Sequence, residues 1–268
     1  MSYQFIRFEL TDQIATITLN RPDVLNSFNM LMAKELQNAI KRCEEPDVRA
    51  VVLTAEGRAF CAGQDLDEVA PAEKPWPDIR DIVRESYNAT IKAIRSLEKP
   101  IICAVNGVAA GAGANIVLAC DFVIASERAS FMQAFCHIGL IPDSGGTWFL
   151  PRLVGLPRAT AMMMLGEKIT AADAFSMGKI YKVSPEDSFR EDVAELATRL
   201  SKMATRGLGL TKHAINQALP NTLEEQLDLE EELQGAAGST DDYREGVRAF
   251  LAKRKPVFHG IKRSENES

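Results

Sequence analysis

Apolar and polar residues alternate in the first part of this chain, as they do in strands with one buried face. The alternation covers Tyr3–Glu9 and Ile14–Leu19, and the second segment reads IATITL. Continuous apolar runs follow at Arg49–Thr54, Pro100–Val105 and Phe122–Ala125. A short apolar run without alternation is typical of a strand that is buried on both faces, so we expect three such strands.

Helical spacing of apolar residues separates these strands. It predicts helices from about Leu31 to Cys43, from Ile79 to Ile94 and from Gly111 to Ala119. A turn-rich segment, NRPDVLNSFN, precedes the first of them. Strands and helices therefore alternate along the first half of the chain, which predicts an α/β fold with mostly buried sheets.

The pattern becomes helical after Pro157. The segments with helical spacing are Thr170–Met177, Phe189–Met203, Gly209–Leu219 and Asp241–Ala252. Thr170 and Thr222 are expected to cap helices, Thr222 together with Glu225 in a capping box. A predominantly helical region therefore follows the α/β part of the chain.

We divide the chain into an α/β core, residues 1–200, and a helical C-terminal region, residues 201–268. Two segments are predicted to be mobile because they are polar or rich in proline. They are Asp67–Asp78, which contains three prolines, and the tail Lys262–Ser268.

Composition narrows the class of protein. The chain has 268 residues and a net charge of -6, which disfavours a general nucleic-acid binder. Its five cysteines form no CxxC pair and no HExxH motif is present, so we expect reduced core thiols and no metal site. The N-terminus lacks a signal-peptide pattern, and no apolar run reaches membrane-spanning length. We expect a cytoplasmic protein that binds neither membrane nor nucleic acid.

Three segments contain residues that could bind a ligand or react with it. They are FCAGQDL at Phe60–Leu66, NGVAAGAGAN at Asn106–Asn115 and CHIGLIPDSGGTW at Cys136–Trp148. The glycines of the second segment fit neither a Walker loop nor the dinucleotide fingerprint. Its small residues permit either close packing of strand to helix or close approach of a ligand, and both interpretations stay open. Read locally, Asp65 is a helix cap and Asp143 is a turn residue.

Taken in order, these motifs resemble the crotonase (enoyl-CoA hydratase/isomerase) family. FCAGQDL is similar to the first oxyanion segment of that family, Ala104–Asp121 to the second, and Phe131–Gly155 to the catalytic-acid segment. NRPDVLNSFN, ITAADAFSMGKIYKV and YREGVRAFLAKRKPVF match further parts, so the resemblance covers nearly the whole chain.

The resemblance implies a fold and a substrate class. The fold is a spiral of ββα units, with C-terminal helices that complete the acyl-CoA site and form a homotrimer or a dimer of trimers. The substrate is an acyl-CoA thioester, and no cofactor is expected beyond the CoA of that substrate. By motif matching, the backbone N–H groups of Ala62 and Ala112 would hold the thioester oxygen as it becomes an enolate.

The same resemblance indicates which chemistry to expect. Hydratases of the family carry two glutamates that activate water, and this chain has Asn115 and Phe135 at the matching positions. Asp143 aligns with an aspartate of certain family isomerases, so it is the predicted catalytic base. Such isomerases shift a 3-enoyl-CoA to a 2-enoyl-CoA or convert ring-1,2-epoxyphenylacetyl-CoA to an oxepin-CoA.

Several other positions match substrate- or CoA-binding positions of the family. They are Leu25, Gly63, Gln64, Asp65, Leu66, Gly111, Phe135, Trp148 and Lys253. Trp148 is expected to line the acyl pocket because it follows the Asp143 turn, whereas Tyr87 is interpreted mainly as a packing residue and His137 as non-catalytic. Two alternatives stay open: an enoyl-CoA hydratase of fatty-acid β-oxidation, and a non-catalytic RNA-binding protein of the same fold.

Overall fold

The computed structural model describes residues 3–70 and 75–260 of the chain. Within these residues, ten strands form two sheets. The strands are β1 (Ile6–Thr11), β2 (Ile14–Leu19), β3 (Ala50–Ala55), β4 (Ala59–Cys61), β5 (Ile101–Val105), β6 (Val108–Ala110), β7 (Phe122–Ser126), β8 (Ser130–Met132), β9 (Ile169–Thr170) and β10 (Lys182–Ser184). The larger sheet has the order β1-β2-β3-β5-β7-β10, and the smaller has the order β4-β6-β8-β9.

The helices surround these sheets and dominate the second half of the chain. They are α1 (Met30–Arg42), α2 (Leu66–Val69), α3 (Ile79–Ile82), α4 (Ala89–Ser96), α5 (Ala112–Ala119), α6 (Gly146–Val154), α7 (Leu156–Leu165), α8 (Ala171–Ser176), α9 (Phe189–Ser201), α10 (Thr205–Ala218), α11 (Leu223–Gly238) and α12 (Asp241–Leu251). A segment of π-helix, Val83–Asn88, joins α3 to α4. None of the described helices is long and apolar enough to span a membrane.

From β3 to β8, consecutive strands alternate between the two sheets. In each of the pairs β3–β4, β5–β6 and β7–β8, the first strand joins the larger sheet and the second joins the smaller. Helical segments follow each pair, so the chain repeats a ββα unit. The strands within each sheet are parallel between units, and only β1 with β2 and β8 with β9 pair in antiparallel fashion. The expected α/β spiral with a helical C-terminal region is confirmed.

Both faces of the larger sheet are covered by apolar side chains. On one face, Leu53 and Cys103 of neighbouring strands belong to the same buried cluster as Leu36 of α1, Ile94 of α4 and Ile116 of α5. Complete burial of a large aliphatic side chain stabilises the fold by about 1.5–3 kcal/mol. This cluster therefore holds the sheet against the helices that carry the site.

The opposite face of the sheet packs against α9. Val52, Ile102 and Ile124 form a second buried cluster with Phe189 and Val193 of that helix. Burial on both faces explains why β3, β5 and β7 read as continuous apolar runs rather than as alternating ones. The proposed boundary at residue 200 falls in the last turn of α9 and stays a prediction.

Most strands and helices that the pattern predicted are found, with two kinds of difference. The short strands β4, β6, β8, β9 and β10 and the helices α6 and α7 were not predicted, and of α11 only the N-cap at Thr222 was predicted. The stretch Ile79–Ile94 is not one regular helix, because the π-helical segment interrupts it. Thr170 and Thr222 cap helices as expected, and Thr222 with Glu225 forms the capping box. Residues 71–74 of the proline-rich segment and the tail Lys262–Ser268 lie outside the described residues.

Polar contacts fasten the C-terminal helices to the core. Lys212 of α10 donates from Nζ to Asp121 Oδ2 at 2.8 Å and to the carbonyl of Ile94 at 2.8 Å. Arg49 donates to the side chain of Thr205 at 3.0 Å and to the carbonyl of Phe258 at 2.8 Å. These side chains are largely buried, so the contacts are shielded from solvent and fix the helical region on the spiral.

One lysine is buried without a polar partner. Lys179 is 3% exposed, and no residue in the described part of the chain accepts a hydrogen bond from its Nζ. The nitrogen lies 3.5 Å from the ring centroid of Phe131, so a cation–π contact offsets part of the cost of burial. Burial lowers the pKa of Lys179 to about 7, while the nearby Cys103 opposes this effect.

Replacement of Lys179 by Met should therefore stabilise the protein, most strongly near neutral pH. The unfolded lysine titrates near its ordinary pKa of 10.5, whereas the folded one titrates near 7. In the wild type, the free energy of unfolding should fall by roughly 3–5 kcal/mol as pH decreases from 10 to 7. Chemical denaturation of Lys179→Met across this range should lack that fall. Lys34→Met on the exposed face of α1 is the control; equal pH dependence in both variants would contradict the assignment.

Candidate active site

The first oxyanion segment begins where β4 ends. The backbone N–H of Ala62 donates to the carbonyl of Leu25 at 3.0 Å, so this N–H is not available to a ligand. The expectation that Ala62 supplies an oxyanion donor is therefore wrong. Leu25, which has a left-handed backbone with φ of 54°, serves here through its carbonyl as an anchor for the loop.

The backbone N–H of Gln64, unlike that of Ala62, is available to a ligand. Phe28 donates to the carbonyl of Gly63 at 2.7 Å and accepts from the N–H of Asp65 at 3.0 Å. These two bonds form a parallel bridge between Phe28 and Gln64. In such a bridge the N–H of the central residue points away from its neighbour. No acceptor for the Gln64 N–H is found within residues 3–70 and 75–260.

The second donor lies at the start of α5. Gly111 precedes this helix with φ of 52°, and Ala112 is its first residue. The N–H of Ala112 has no intrahelical partner, and none of the described side chains caps this end. The helix therefore directs an unpaired donor and the positive end of its dipole outward. The prediction for Ala112 is compatible with this geometry.

The two donor segments are in contact with each other. A Cβ built on Gly63 would lie 3.1 Å from the carbonyl oxygen of Ala110, and one built on Gly111 would lie 3.9 Å from the Cα of Gly63. The first contact is tighter than a Cβ normally makes, and the φ of 100° at Gly63 also favours glycine. Gly63 and Gly111 thereby bring the backbone of Gln64 beside the N-terminus of α5.

Asp143 lies in the turn before α6. Its Oδ1 accepts a hydrogen bond from Ser144 Oγ at 2.7 Å, and its backbone carbonyl accepts from the N–H of Gly146 at 2.8 Å. Burial raises the pKa of Asp143 to about 6, and the bond from Ser144 partly opposes the increase. A carboxyl group with this pKa is ionised at neutral pH and remains basic enough to accept a proton from carbon.

Tyr87 connects these parts of the site. It lies in the π-helical segment, stacks on Phe28 with ring centroids 5.8 Å apart, and donates from its hydroxyl to Gln64 Oε1. Burial raises the pKa of Tyr87 well above its usual value, and the charge of Asp143 raises it further. The packing interpretation was therefore incomplete, because the phenol also faces the site and fastens Gln64.

The two positions that correspond to hydratase glutamates hold uncharged, buried side chains. The ring of Phe135 lies 4.0 Å from the position of a Cβ on Gly111, so it packs beside the second donor. Asn115 is fully buried and donates from Nδ2 to the backbone carbonyl of Asp143 at 2.9 Å. Neither side chain can act as a general base for water.

Other predicted positions have different surroundings. The Asp65 carboxylate pairs with Arg21 at 2.8 Å and caps α2, which is a structural role. Leu66 follows it and is 56% exposed at the rim of the first segment. Lys253 lies just after α12 and is exposed. The binding roles of Leu66 and Lys253 stay predictions.

Trp148 lies on α6, five residues after Asp143. Its ring is 40% exposed and packs edge-on against Phe149. It lines a cavity of about 490 Å³ together with Arg95 and Lys212, and Asp143 is not part of that lining. The role of Trp148 in binding the acyl group stays a prediction.

The arrangement as a whole suits the chemistry of an enolate. Gln64 and Ala112 carry backbone N–H groups without an acceptor among the described residues, on segments that touch at Gly63 and Gly111, and Asp143 on the turn before α6 has a raised pKa. Donors of this kind stabilise an oxyanion, and loss of one costs about 100- to 1,000-fold in rate. No group of His, Cys, Asp and Glu in the described residues could hold a metal ion.

Comparison with known proteins agrees with this reading. The family model described as enoyl-CoA hydratase/isomerase matches residues 9–262. A 1,2-epoxyphenylacetyl-CoA isomerase of Escherichia coli K12 is 48% identical over 96% of this chain and 99% of its own. A trans-2-decenoyl-[acyl-carrier-protein] isomerase of Streptococcus mutans is 37% identical over 97% of this chain and 100% of its own. Among solved structures, an enoyl-CoA hydratase from Bacillus anthracis superposes with a TM-score of 0.91 at 34% identity, covering 96% of this chain and all of its own. The chain therefore belongs to the enoyl-CoA hydratase/isomerase family.

Proposed function

We propose that this enzyme is an acyl-CoA isomerase in which Asp143 is the single catalytic base and the N–H groups of Gln64 and Ala112 form the oxyanion hole. The observation that carries the proposal is the charge pattern of the site. One carboxylate with a raised pKa faces it, while the positions of the hydratase glutamates hold Asn115 and Phe135.

The chemistry requires a proton to leave and return without net loss of atoms. Asp143 takes the proton from the α-carbon of a 3-enoyl thioester, and the electron pair moves onto the thioester oxygen as an enolate. The N–H groups of Gln64 and Ala112 donate to that oxygen. Asp143 then returns the proton to the γ-carbon, the double bond becomes α,β, and the carboxylate is regenerated.

A second substrate class fits the same machinery. The 48% identical isomerase of Escherichia coli is named for 1,2-epoxyphenylacetyl-CoA, and this name supports our proposal that the physiological reaction converts that ring epoxide to an oxepin-CoA in phenylacetate breakdown. Both reactions are isomerisations that neither add nor remove atoms, so neither consumes water or needs a redox cofactor. The apolar ring of Phe135 beside Gly111 favours exclusion of water.

The alternatives are weaker. A hydratase needs carboxylates that activate water, and Asn115 and Phe135 do not supply them. An RNA-binding function needs a basic surface, whereas the net charge of the chain is -6. We therefore rank isomerisation first, hydration second and RNA binding third.

Assembly and location also belong to the proposal. Helices α11 and α12 leave large apolar side chains exposed, among them Leu223, Tyr243, Phe250 and Leu251. Apolar surface of this extent is typical of an interface. We propose that these helices pack between subunits in a homotrimer or a dimer of trimers, and that the enzyme acts in the cytoplasm on soluble acyl-CoA.

Substitution Asp143→Asn should abolish isomerisation and leave the fold intact. Turnover of a 3-enoyl-CoA and of epoxyphenylacetyl-CoA should fall at least ~1,000-fold, since the base is lost. The melting temperature at pH 8 should not decrease, because the variant removes an ionised group whose burial costs about 3 kcal/mol. Hydration of crotonyl-CoA by the wild type should be slow. Near-normal isomerase turnover in the variant would rule out Asp143, and rapid crotonyl-CoA hydration would favour the hydratase alternative.

The rate should depend on the ionisation of Asp143. Because the base must be ionised, kcat/KM should be constant above about pH 7 and should fall tenfold per pH unit below the pKa of about 6. Ser144→Ala removes a hydrogen bond that lowers this pKa, so the acid limb should move to higher pH. Stopped-flow measurement of kcat/KM from pH 4.5 to 9 checks both. An acid limb near pH 4, or one that Ser144→Ala leaves in place, would contradict the assignment.

Lys253 should contribute to CoA binding through its charge. Lys253→Glu is expected to weaken binding of free CoA about tenfold or more, because the substitution reverses a charge near the CoA phosphates. Lys34→Glu on α1 changes the net charge equally and serves as the control. Calorimetric titration measures the affinity of each variant for CoA. Equal affinities would show that Lys253 is an ordinary exposed residue at a helix end, with no role in CoA binding.

A further inference from the structure

Two buried amides connect the core to the catalytic turn. Gln133 donates from Nε2 to Asn115 Oδ1 at 2.8 Å, and Asn115 donates from Nδ2 to the carbonyl oxygen of Asp143 at 2.9 Å. Asn115 is 0% exposed and Gln133 is 2% exposed. We call this series the amide relay. It joins the segment after β8 and the middle of α5 to the turn before α6.

Hydrogen-bond chemistry permits only one orientation of the relay. The carbonyl of Asp143 can only accept, so Asn115 must present its NH2 group to it. The Oδ1 of Asn115 then needs a donor, and Gln133 must supply its own NH2 group. This orientation leaves Gln133 Oε1 without a donor among the described residues. A buried acceptor without a partner costs stability, and the relay is formed despite that cost.

The turn that receives the relay is unusual. Ser144 and Gly145 both have left-handed backbones, with φ of 52° and 75°. For a residue with a side chain, this conformation is unfavourable unless the surroundings impose it. A Cβ on Gly146 would lie 2.3 Å from Asn115 Nδ2, so Asn115 packs directly on the turn.

We propose that Asn115 and Gln133 are positioning residues that hold the carboxylate of Asp143 in its reactive position, an inference that rests on the proposed isomerase function. Together with the N–H of Gly146, Asn115 occupies both lone pairs of the Asp143 carbonyl and so fixes the peptide that carries the base. Gln133 acts one step earlier by fixing the rotamer of Asn115. The family resemblance assigned the position of Asn115 to water activation, whereas in this chain it serves the base.

The relay acts on the geometry of the base rather than on its charge. Its bonds end at the backbone carbonyl of Asp143, and neither amide contributes to the raised pKa of the carboxyl group, which burial dominates. Removal of the relay should therefore lower kcat without displacing the acid limb of the pH profile. Tyr87 is the ionisable group that interacts electrostatically with Asp143, and neither substitution of the relay changes it.

The test uses the near-isosteric variants Asn115→Leu and Gln133→Met and their combination, in the full-length enzyme with a 3-enoyl-CoA. A misplaced base costs on the order of 10- to 100-fold, so kcat of Asn115→Leu should fall by that factor while KM changes less than about threefold. Gln133→Met should show a smaller fall of the same kind. The double variant should be no slower than Asn115→Leu, since residues in series are not additive.

The matched control is Asn216→Leu, which removes a partly buried amide that bonds to Arg95 far along the fold. It should lower the melting temperature and leave kcat unchanged. If Asn115→Leu does not fold, Gln133→Met decides the question alone. Folded relay variants with wild-type kcat, a loss that appears only in KM, or a displaced acid limb would each overturn the relay. A wild type without isomerase turnover, or an active Asp143→Asn, would instead overturn the proposed function.

Discussion

The desolvation of one carboxylate is the constraint on which this site depends. Asp143 is ionised at neutral pH in surroundings that favour its neutral form, and burial raises its pKa to about 6. The fold must therefore contribute stability elsewhere to keep the charge in place. It does so with two fully packed clusters around the larger sheet and with a turn whose backbone is held at both lone pairs of the Asp143 carbonyl.

The ββα spiral explains why the donors meet beside this carboxylate. The short strands β4 and β6 are neighbours in the smaller sheet, so the loops that follow them are adjacent. Gly63 and Gly111 remove the side chains that would separate the two backbones. Gln64 and Ala112 therefore lie on adjacent segments from two different units, and both have N–H groups without an acceptor among the described residues. A side-chain substitution cannot delete such donors, so the proposed oxyanion hole would be a property of the backbone fold.

The sequence predicted those features of the fold and site that depend on residues close together in the chain, and not those that depend on contacts between distant residues. Continuous apolar runs predicted β3, β5 and β7, because strands buried on both faces need them. The strands of the smaller sheet have only two or three residues, too few to show any period, and their pairing is decided by contacts distant in sequence. The motifs located the segments that we propose bind the oxyanion, but not which N–H is free. Ala62 and Gln64 are two residues apart, and only the structure shows that Ala62 is bonded to Leu25 while Gln64, bridged to Phe28, keeps its N–H without an acceptor among the described residues.

Side-chain environments were the hardest to predict. Tyr87 has the spacing of a core residue, yet a π-helical segment changes its direction and turns its hydroxyl towards Gln64. Lysine side chains are usually exposed, and nothing in the sequence around Lys179 indicates that this one is buried against the ring of Phe131. The sequence showed that Asn115 lacks the carboxylate of the hydratase position, but its bond to the Asp143 carbonyl required the three-dimensional structure.

The central claim is that Asp143 is a buried base with a raised pKa, and 13C NMR of the side-chain carboxyl groups measures this directly. Spectra of labelled wild type and Asp143→Asn, recorded from pH 4 to 8, identify the Asp143 resonance as the one that the variant lacks. The account predicts that this resonance titrates near pH 6. A resonance that titrates near the ordinary aspartate value of 3.8 would contradict it.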